Sequence, residues 1–344
     1  MKPHVLVCRL DSDGDVLLAG PAVRAVAARA KRVTMLCGPR GQRAAELLPG
    51  VDQVVVHSAP WIDPEPEPVD RDAELRLVGE IESLGVDRAI VLTSFHQSPL
   101  PTALLLRFAG VASIAATSVD YPGSLLDVRH TVDEYVHEVE RSLSLVAELG
   151  YELPPGDDAA LHVSTAPEDR LVRERLGAEP YVVVHPGASV SARAWEPERC
   201  AELVQALHQQ GRRAVVTGSP EEAGLTAFVA DSTGVDLGGQ TSLGELAEVI
   251  RGAEAIVVGN TGPAHLAAAV GTPVVSVFAP TVPAVRWRPW RVPHELLHTA
   301  VPCAGCRARE CPVPGHPCIG EIAPAHVLAA LARLAPAREE ALAL

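Results

Sequence analysis

Residues 4–18 read His4-Val-Leu-Val-Cys-Arg-Leu-Asp-Ser-Asp-Gly-Asp-Val-Leu-Leu18: a short apolar run, a polar turn with three aspartates, and the start of an apolar helical pattern. The same order recurs where Tyr181-Val-Val-Val-His185 leads through a glycine- and serine-containing turn into a helical stretch from Glu198. An apolar run without alternation is typical of a strand that is covered on both faces of a parallel sheet. We therefore predict that the chain repeats one α/β plan.

The same alternation of strand and helix extends over most of the chain. Strands are predicted at Val5–Cys8, Val33–Leu36, Val54–His57, Ala89–Thr93, Tyr181–His185, Ala214–Thr217, Ala255–Val258 and Val274–Phe278. Helical spacing covers Leu17–Ala30, Val132–Leu149, Glu198–Gln209 and Leu243–Arg251. Strand, helix and strand in alternation give right-handed βαβ units, so we expect doubly wound sheets.

The length and the break between the two series predict two domains. The 344 residues suffice for two units of about 150 residues each. We expect an N-terminal Rossmann-like domain over residues 1–165, a C-terminal Rossmann-like domain over residues 175–325, and a C-terminal helix and tail over residues 326–344. Two such domains facing a central cleft would direct the carboxyl ends of both sheets into it, where open α/β sheets bind ligands.

Charge and composition exclude some partners. With 29 basic and 43 acidic residues, the formal net charge is −14, which argues against a nucleic-acid binder. Only Lys2 and Lys31 are lysines, so a site for a small phosphate compound would use arginine, backbone N–H groups and hydroxyls. The sequence contains no apolar run of about 18–20 residues, and its seven cysteines suit a reducing compartment, so we expect a cytoplasmic protein without a transmembrane segment.

The acidic turn after the first predicted strand has two interpretations. In the first, Gly14 adopts a positive φ angle and Asp15 caps the following helix. In the second, a carboxylate at this edge of the sheet acts as the general base toward a substrate hydroxyl. Residue types alone leave both open.

The turn after Tyr181–His185 contains Ser189, Ser191 and Arg193 before a helix that starts near Pro197. Serine hydroxyls, backbone N–H groups and a bidentate arginine suit a diphosphate. The alternative is a solvated turn that Trp195 fixes to the core.

A third turn, Asn260-Thr-Gly262, separates a predicted strand from a helix that begins near Pro263. The free N–H groups at such a helix start form an anion site, and His265 in the first turn can donate to a phosphate oxygen. The alternative for His265 is a structural histidine packed beneath the turn.

Four cysteines lie within the segment Cys303-x2-Cys306-x4-Cys311-x6-Cys318. The residues could hold zinc or an iron–sulfur cluster, or form two disulfides if oxidised. The spacing differs from that of a zinc ribbon, so we expect no metal here, with zinc as the lesser alternative.

Taken together, these motifs resemble glycosyltransferase family 9, the ADP-heptose:lipopolysaccharide heptosyltransferases. The resemblance rests on Asp13-Gly-Asp-Val16, on His185-Pro-Gly-Ala188 with Arg193-Ala-Trp195, and on Asn260-Thr-Gly-Pro-Ala-His265 with Gly271-Thr-Pro-Val-Val275. The cysteine segment is similar to that of the heptosyltransferase II branch. The matches run in order from about residue 5 to about residue 330.

The resemblance implies a GT-B fold of two Rossmann-like domains, with the acceptor held mainly by the first and the nucleotide-sugar by the second. Asp15 matches the family's catalytic base, which acts in an inverting reaction without a metal. Arg193 stands where the family usually has a lysine that contacts the donor diphosphate, and Thr261, Gly262 and His265 match the diphosphate turn.

Two further positions are assigned to the donor by this resemblance. Glu222 is the candidate for the ribose hydroxyls, with Glu221 almost as good a match. Asn260 replaces an aspartate that is common in the family, which keeps hydrogen bonding to sugar hydroxyls but removes the charge.

The predicted function is transfer of a sugar, heptose by resemblance, from ADP-heptose or a related nucleotide-sugar to a hydroxyl of a glycan, a lipid-linked intermediate or a natural product. No cofactor beyond the donor is expected, and a lipid-linked acceptor would entail peripheral membrane contact. The alternatives are a nucleotide-sugar epimerase or hydrolase, and a non-catalytic protein that binds nucleotide-sugars.

Overall fold

The computed structural model describes residues 2–94 and 96–342. The chain divides into two compact units, Met1–His162 and Val163–Leu344. Each unit contains one six-stranded sheet in which all neighbouring strands are parallel. The predicted repetition of one α/β plan is therefore confirmed.

The first unit alternates strands and helices throughout. Its strands are β1 (His4–Arg9), β2 (Arg32–Cys37), β3 (Gln53–Val56), β4 (Arg88–Val91), β5 (Ser113–Thr117) and β6 (Val128–His130). Its helices are α1 (Asp13–Leu18), α2 (Gly20–Arg29), α3 (Gln42–Leu47), α4 (Arg71–Leu84), α5 (Leu100–Phe108) and α6 (Glu138–Glu148). The strand order in space is β3-β2-β1-β4-β5-β6.

The second unit repeats this arrangement. Its strands are β7 (Tyr181–His185), β8 (Arg213–Val216), β9 (Val235–Asp236), β10 (Ala255–Gly259), β11 (Val274–Val277) and β12 (His294–Leu297). Its helices are α7 (Arg170–Leu176), α8 (Pro197–Gln209), α9 (Ala223–Ala230), α10 (Leu243–Gly252), α11 (Gly262–Ala269), α12 (Ala284–Trp287) and α13 (Pro324–Leu342). The order is β12-β11-β10-β7-β8-β9, the same topology as in the first unit.

The shared topology fixes where a ligand can bind in each unit. In both sheets the chain first builds outward on one side and then crosses to the other, so the order reverses between β1 and β4 and between β7 and β10. Ligands of open α/β sheets bind beyond the carboxyl ends of the strands at such a reversal. Residues that bind ligands are therefore expected in the turns after these four strands.

Burial explains why these runs form central strands. Every residue of β1, β7, β10 and β11 is buried, as strands with helices on both faces require. In the second unit, Val182, Val184 and Val257 pack in one apolar cluster with Leu203 of α8 and Leu331 of α13. Helix α13 thus contributes to the core of the second unit.

All eight predicted strands are present, and four short ones were missed: β5, β6, β9 and β12. The helix predicted from Val132 begins only at Glu138, because His137 forms a capping box with Glu140 at that point. The helix predicted over Leu17–Ala30 is two helices, the second of which starts at Gly20 with Pro21 in its first turn. The last two residues of the predicted C-terminal segment lie outside the described residues.

None of the helices in the described part of the chain combines the length and the apolar composition that crossing a membrane would require.

Candidate active site

Asp15 lies in the turn that leaves β1, at the sheet reversal of the first unit. It is the third residue of α1, so it does not cap that helix, and Gly14 is helical and does not have a positive φ angle. Oδ1 of Asp15 accepts a hydrogen bond of 2.9 Å from Arg9, and Oδ2 accepts one of 3.1 Å from Ser12. Its side chain is 22% exposed, so solvent or a substrate can reach the carboxylate.

The three aspartates of this turn have different partners. Asp13 accepts hydrogen bonds from Arg43 at 2.8 Å and from the backbone N–H of Ala44 at 3.1 Å, which fixes it to α3. Asp11 accepts hydrogen bonds from Gln97 and, at 3.5 Å, from the hydroxyl of Ser94, both in the loop after β4. Of these carboxylates, Asp13 therefore has a structural role, whereas Asp11 and Asp15 share the reversal point with the loop after β4.

The surroundings of Asp11 raise the pKa of its carboxyl group. Burial raises its pKa to about 6, while Arg9 opposes this rise and Asp15 adds to it. Burial has the larger effect because it removes water that would solvate the charged carboxylate, and the negative charge of Asp15 adds to it.

In the second unit, the predicted diphosphate turn follows β7. Its first residue, His185, is buried and lies 3.0 Å from the hydroxyl of Thr217 through Nδ1. Burial lowers the pKa of His185, although Glu222 opposes this effect. The imidazole is therefore held neutral beneath the turn.

Glu222 reaches this turn from the loop after β8. Its carboxylate accepts a hydrogen bond of 2.8 Å from the backbone N–H of Ser219 and occupies the space directly above Gly187. Any side chain at position 187 would collide with it. The structure thus brings the predicted ribose residue to the predicted diphosphate turn of the same unit.

Three further residues of this turn were predicted to meet the diphosphate. Ser189 is exposed, whereas the hydroxyl of Ser191 donates at 3.1 Å to the backbone carbonyl of Arg309. Arg193 ends a 3₁₀ turn, Ser191–Arg193, and its Nε donates at 3.3 Å to the hydroxyl of Thr281, just after β11.

The third turn meets the second in space. A Cβ atom on Gly259 would lie 2.6 Å from the backbone carbonyl oxygen of Arg193, so only glycine allows this approach at the end of β10. Thr261 occupies the N-cap position of α11, makes no side-chain cap bond, and precedes Gly262 and a buried His265 in the first helical turn. The predicted diphosphate residues therefore converge beyond β7 and β10.

Asn260 is buried at the same place. Its amide donates at 3.1 Å to the backbone carbonyl of Ala279, while its Oδ1 has no hydrogen-bond partner among the residues described. A buried acceptor of this kind is costly unless it receives a donor, such as a hydroxyl of a bound sugar.

The cysteine segment packs beside Arg193. Backbone N–H groups of Gly305 and Arg307 donate to the carbonyls of Pro280 and Thr281 at 2.7 and 2.9 Å, and Ala192 donates to Arg309 at 2.9 Å. Cys303, Cys306, Cys311 and Cys318 line a small cavity of about 40 Å³ together with Ala192 and Thr281.

All four of these cysteines are free thiols, of which Cys303 and Cys306 are exposed and Cys318 is buried. Across residues 2–94 and 96–342, no group of three or more His, Cys, Asp or Glu side chains is arranged to hold a metal ion. The contact between this segment and the diphosphate turn was not predicted, because the hydrogen bonds that join them end on backbone carbonyls, which the residue types do not reveal.

The comparison that decides the family covers most of the chain. Residues 75–316 match the family described as Glycosyltransferase family 9 (heptosyltransferase). The chain belongs to glycosyltransferase family 9. The resemblance that the motifs had indicated is thereby confirmed.

Individual members of glycosyltransferase family 9 match only part of this chain. The chain is 32% identical over 162 residues to lipopolysaccharide heptosyltransferase 3 of Escherichia coli K12, which covers 45% of this chain and 47% of that protein. The chain spans about half the length of the curated relatives that it matches.

Solved structures of this family share the fold over the whole chain. The family 9 glycosyltransferase of Veillonella parvula has a TM-score of 0.77 at 16% identity and covers 97% of each chain. The E. coli ADP-heptose lipopolysaccharide heptosyltransferase II has a TM-score of 0.76 at 19% identity and covers 98% of this chain and 100% of its own. The predicted GT-B fold is confirmed.

Proposed function

We propose that this member of glycosyltransferase family 9 is an inverting, metal-independent transferase that moves heptose from ADP-heptose to an acceptor hydroxyl. The observation that carries the proposal is Asp15, a partly exposed carboxylate at the sheet reversal whose two oxygens are held by Arg9 and Ser12. A general base must be ionised, accessible and fixed in orientation, and Asp15 meets the last two conditions by its contacts.

The reaction consists of one displacement. The acceptor oxygen attacks the anomeric carbon from the face opposite the diphosphate, and its proton passes to Asp15. The bond between the anomeric carbon and the diphosphate oxygen breaks at the same time, so ADP departs with both electrons and the configuration inverts.

The second unit supplies the groups that suit the donor. We propose that Arg193, the hydroxyls of Ser189 and Ser191, and the first turn of α11 with Thr261, Gly262 and His265 bind the diphosphate. Fixed N–H groups and an arginine stabilise the charge that develops on the leaving group, a task for which other transferases use a metal ion. The Ser191 hydroxyl would exchange the Arg309 carbonyl for a phosphate oxygen.

The remaining contacts would bind the ribose and the transferred sugar of the donor. Glu222, held above Gly187, is suited to accept hydrogen bonds from ribose hydroxyls. Asn260 offers its buried Oδ1 to a sugar hydroxyl. The name of the structural relative, an ADP-heptose lipopolysaccharide heptosyltransferase, supports this choice of donor.

The acceptor is a hydroxyl of a glycan, a lipid-linked intermediate or a natural product, with peripheral membrane contact in the lipid-linked case. We place the reaction in the cytoplasm, since an odd number of cysteines, seven, suits a reducing compartment.

The purified protein incubated with ADP-heptose, with and without candidate acceptors, tests this function. Release of ADP that requires an acceptor, continues in a chelator and yields a product of inverted anomeric configuration supports it. Donor consumption at the same rate without any acceptor would instead indicate an epimerase or hydrolase, and binding without consumption a non-catalytic protein.

A further inference from the structure

Arg9, the last residue of β1, is a buried cation surrounded by carboxylates. Its side chain is 3% exposed, and each of its three nitrogens faces a different acid. Nε lies 3.0 Å from Asp11, Nη2 lies 2.9 Å from Asp15, and Nη1 lies 3.8 Å from Glu138. Burial opposes its charge, yet the three carboxylates outweigh burial and raise the pKa of Arg9.

This one guanidinium joins four segments of the first unit. Asp11 belongs to the turn after β1, Asp15 to the first turn of α1, Ser94 to the loop after β4, and Glu138 to the start of α6. Nη2 of Arg9 also donates at 3.0 Å to the hydroxyl of Ser94. Arg9 therefore fixes the turn that carries Asp15 relative to the loop on the other side of the sheet reversal.

The contact with Asp15 has two physical consequences. Because Arg9 binds Oδ1 and Ser12 binds Oδ2, the carboxylate cannot rotate without losing a hydrogen bond. Because the arginine is positive and buried, it also favours the ionised form of Asp15, which is the form that a base requires. Asp11 and Glu138 balance the same cation and limit this effect.

An arginine with only a structural role would not need to contact the proposed base. Arg24 offers the comparison: it is also largely buried and makes two hydrogen bonds of 2.8 Å to Asp157 and one of 2.8 Å to the carbonyl of Ala160. These contacts join α2 to the end of the first unit, and neither Asp157 nor Ala160 is a predicted site residue. Both arginines thus stabilise the fold, but only Arg9 holds the base.

We propose that Arg9 is the positioning residue for Asp15 and holds its carboxylate in the orientation that directs it toward the acceptor hydroxyl. The inference rests on the proposed function, in which Asp15 is the base. We expect lysine to replace Arg9 poorly, since a single ammonium group lacks the planar fork that contacts Asp11 and Asp15 through separate nitrogens.

The variants R9K and R9M test this role, with R24K as the matched control. R9K is expected to reduce kcat about 100-fold with little change in the KM for the donor, since a misdirected catalytic group affects the chemical step. R24K is expected to lower the thermal midpoint of unfolding and to leave the kcat of the folded protein unchanged.

The pH dependence of kcat/KM separates positioning from mere stabilisation. The charged groups facing Arg9 are Asp11 and Asp15 from the turn and Glu138 from α6. Loss of the cation in R9M should move the acid limb of the profile to higher pH, whereas D11N removes a negative neighbour and should move it to lower pH. Opposite shifts in these two variants support the proposal.

Three outcomes distinguish a positioning role of Arg9 from a purely structural one. If R9M does not fold, R9K still tests the positioning role through its kcat, and D11N still provides a pH profile. If R9K retains the wild-type kcat and pH profile while D15N is inactive, Arg9 has only a structural role and this inference alone is wrong. If D15N itself retains wild-type turnover, the assignment of the base fails, and the role of Arg9 fails with it.

Discussion

The carboxylate of Glu222 occupies the space that a side chain on Gly187 would fill. Glu222 belongs to the 3₁₀ turn Pro220–Glu222 after β8, and Gly187 belongs to the turn after β7. The two turns can meet because position 187 has no Cβ atom. This relationship joins the ribose contact to the diphosphate turn in the proposed donor site.

The variant G187A should therefore weaken ADP binding. Its methyl group would displace Glu222, and the loss of a hydrogen bond from a ribose hydroxyl to this carboxylate costs about 1.5–3 kcal/mol. Gly224 of α9 is the matched control, since a Cβ atom there meets no atom within 4 Å. Calorimetric titration with ADP measures the effect, and equal affinities of G187A and G224A would show that Glu222 does not contact the nucleotide.

Loss of the Arg193 side chain should also weaken ADP binding. R193A is expected to lose about 1.5–3 kcal/mol, the value of a hydrogen bond to a charged group. R193K should recover part of the loss, because it keeps the charge but not the bidentate fork. Calorimetry on R193A, R193K and the exposed control R199A gives the comparison, and an unchanged affinity in R193A would refute the contact.

The cysteine segment should contain no essential metal. Among the residues that the structure describes, its thiols do not form a group of three or more that could hold a metal ion, and Cys303 and Cys306 are exposed. We expect elemental analysis of protein purified under reducing conditions to find less than one equivalent of zinc or iron, and a chelator to leave transfer unchanged. One bound equivalent whose removal abolishes transfer would overturn metal independence.

Asp11 should make the stability of the protein depend on pH in a defined direction. Burial raises its pKa from 3.8 to about 6, so the folded protein binds this proton more tightly than the unfolded chain. Between these two values the free energy of unfolding should fall as the pH rises. Urea unfolding should show that wild type loses stability relative to D11N as the pH rises through this window, and parallel curves would contradict the raised pKa.

Much of the fold follows from the sequence, and the missed elements have physical reasons. The eight predicted strands are apolar runs, most of them in the centres of the sheets. The missed β6, β9 and β12 lie at sheet edges with three, two and four residues, and they are only partly buried. Strand β5 is buried but contains two alanines, which have low strand propensity. The start of α6 was missed because its cap is His137, a residue type that seldom caps helices.

Part of the site could also be predicted from the sequence. Asp15, Arg193 and Thr261 follow apolar strands in the sequence. Polar residues that follow such strands are expected beyond the carboxyl ends of the sheet, where ligands bind. The role of Arg9 could not be predicted, since its partner Glu138 lies far along the chain and the folded unit brings them to 3.8 Å. A charged residue at the last position of an otherwise apolar strand was the available signal.

The central claim is that Asp15 is the base, and turnover by D15N beside D13N tests it most directly. Both substitutions remove one negative charge from the same turn, but Asp13 is engaged by Arg43 and Ala44. We predict that D15N loses about 10²–10⁴-fold in acceptor-dependent transfer while its ADP affinity is unchanged, and that D13N remains active. Wild-type transfer by folded D15N would contradict the account.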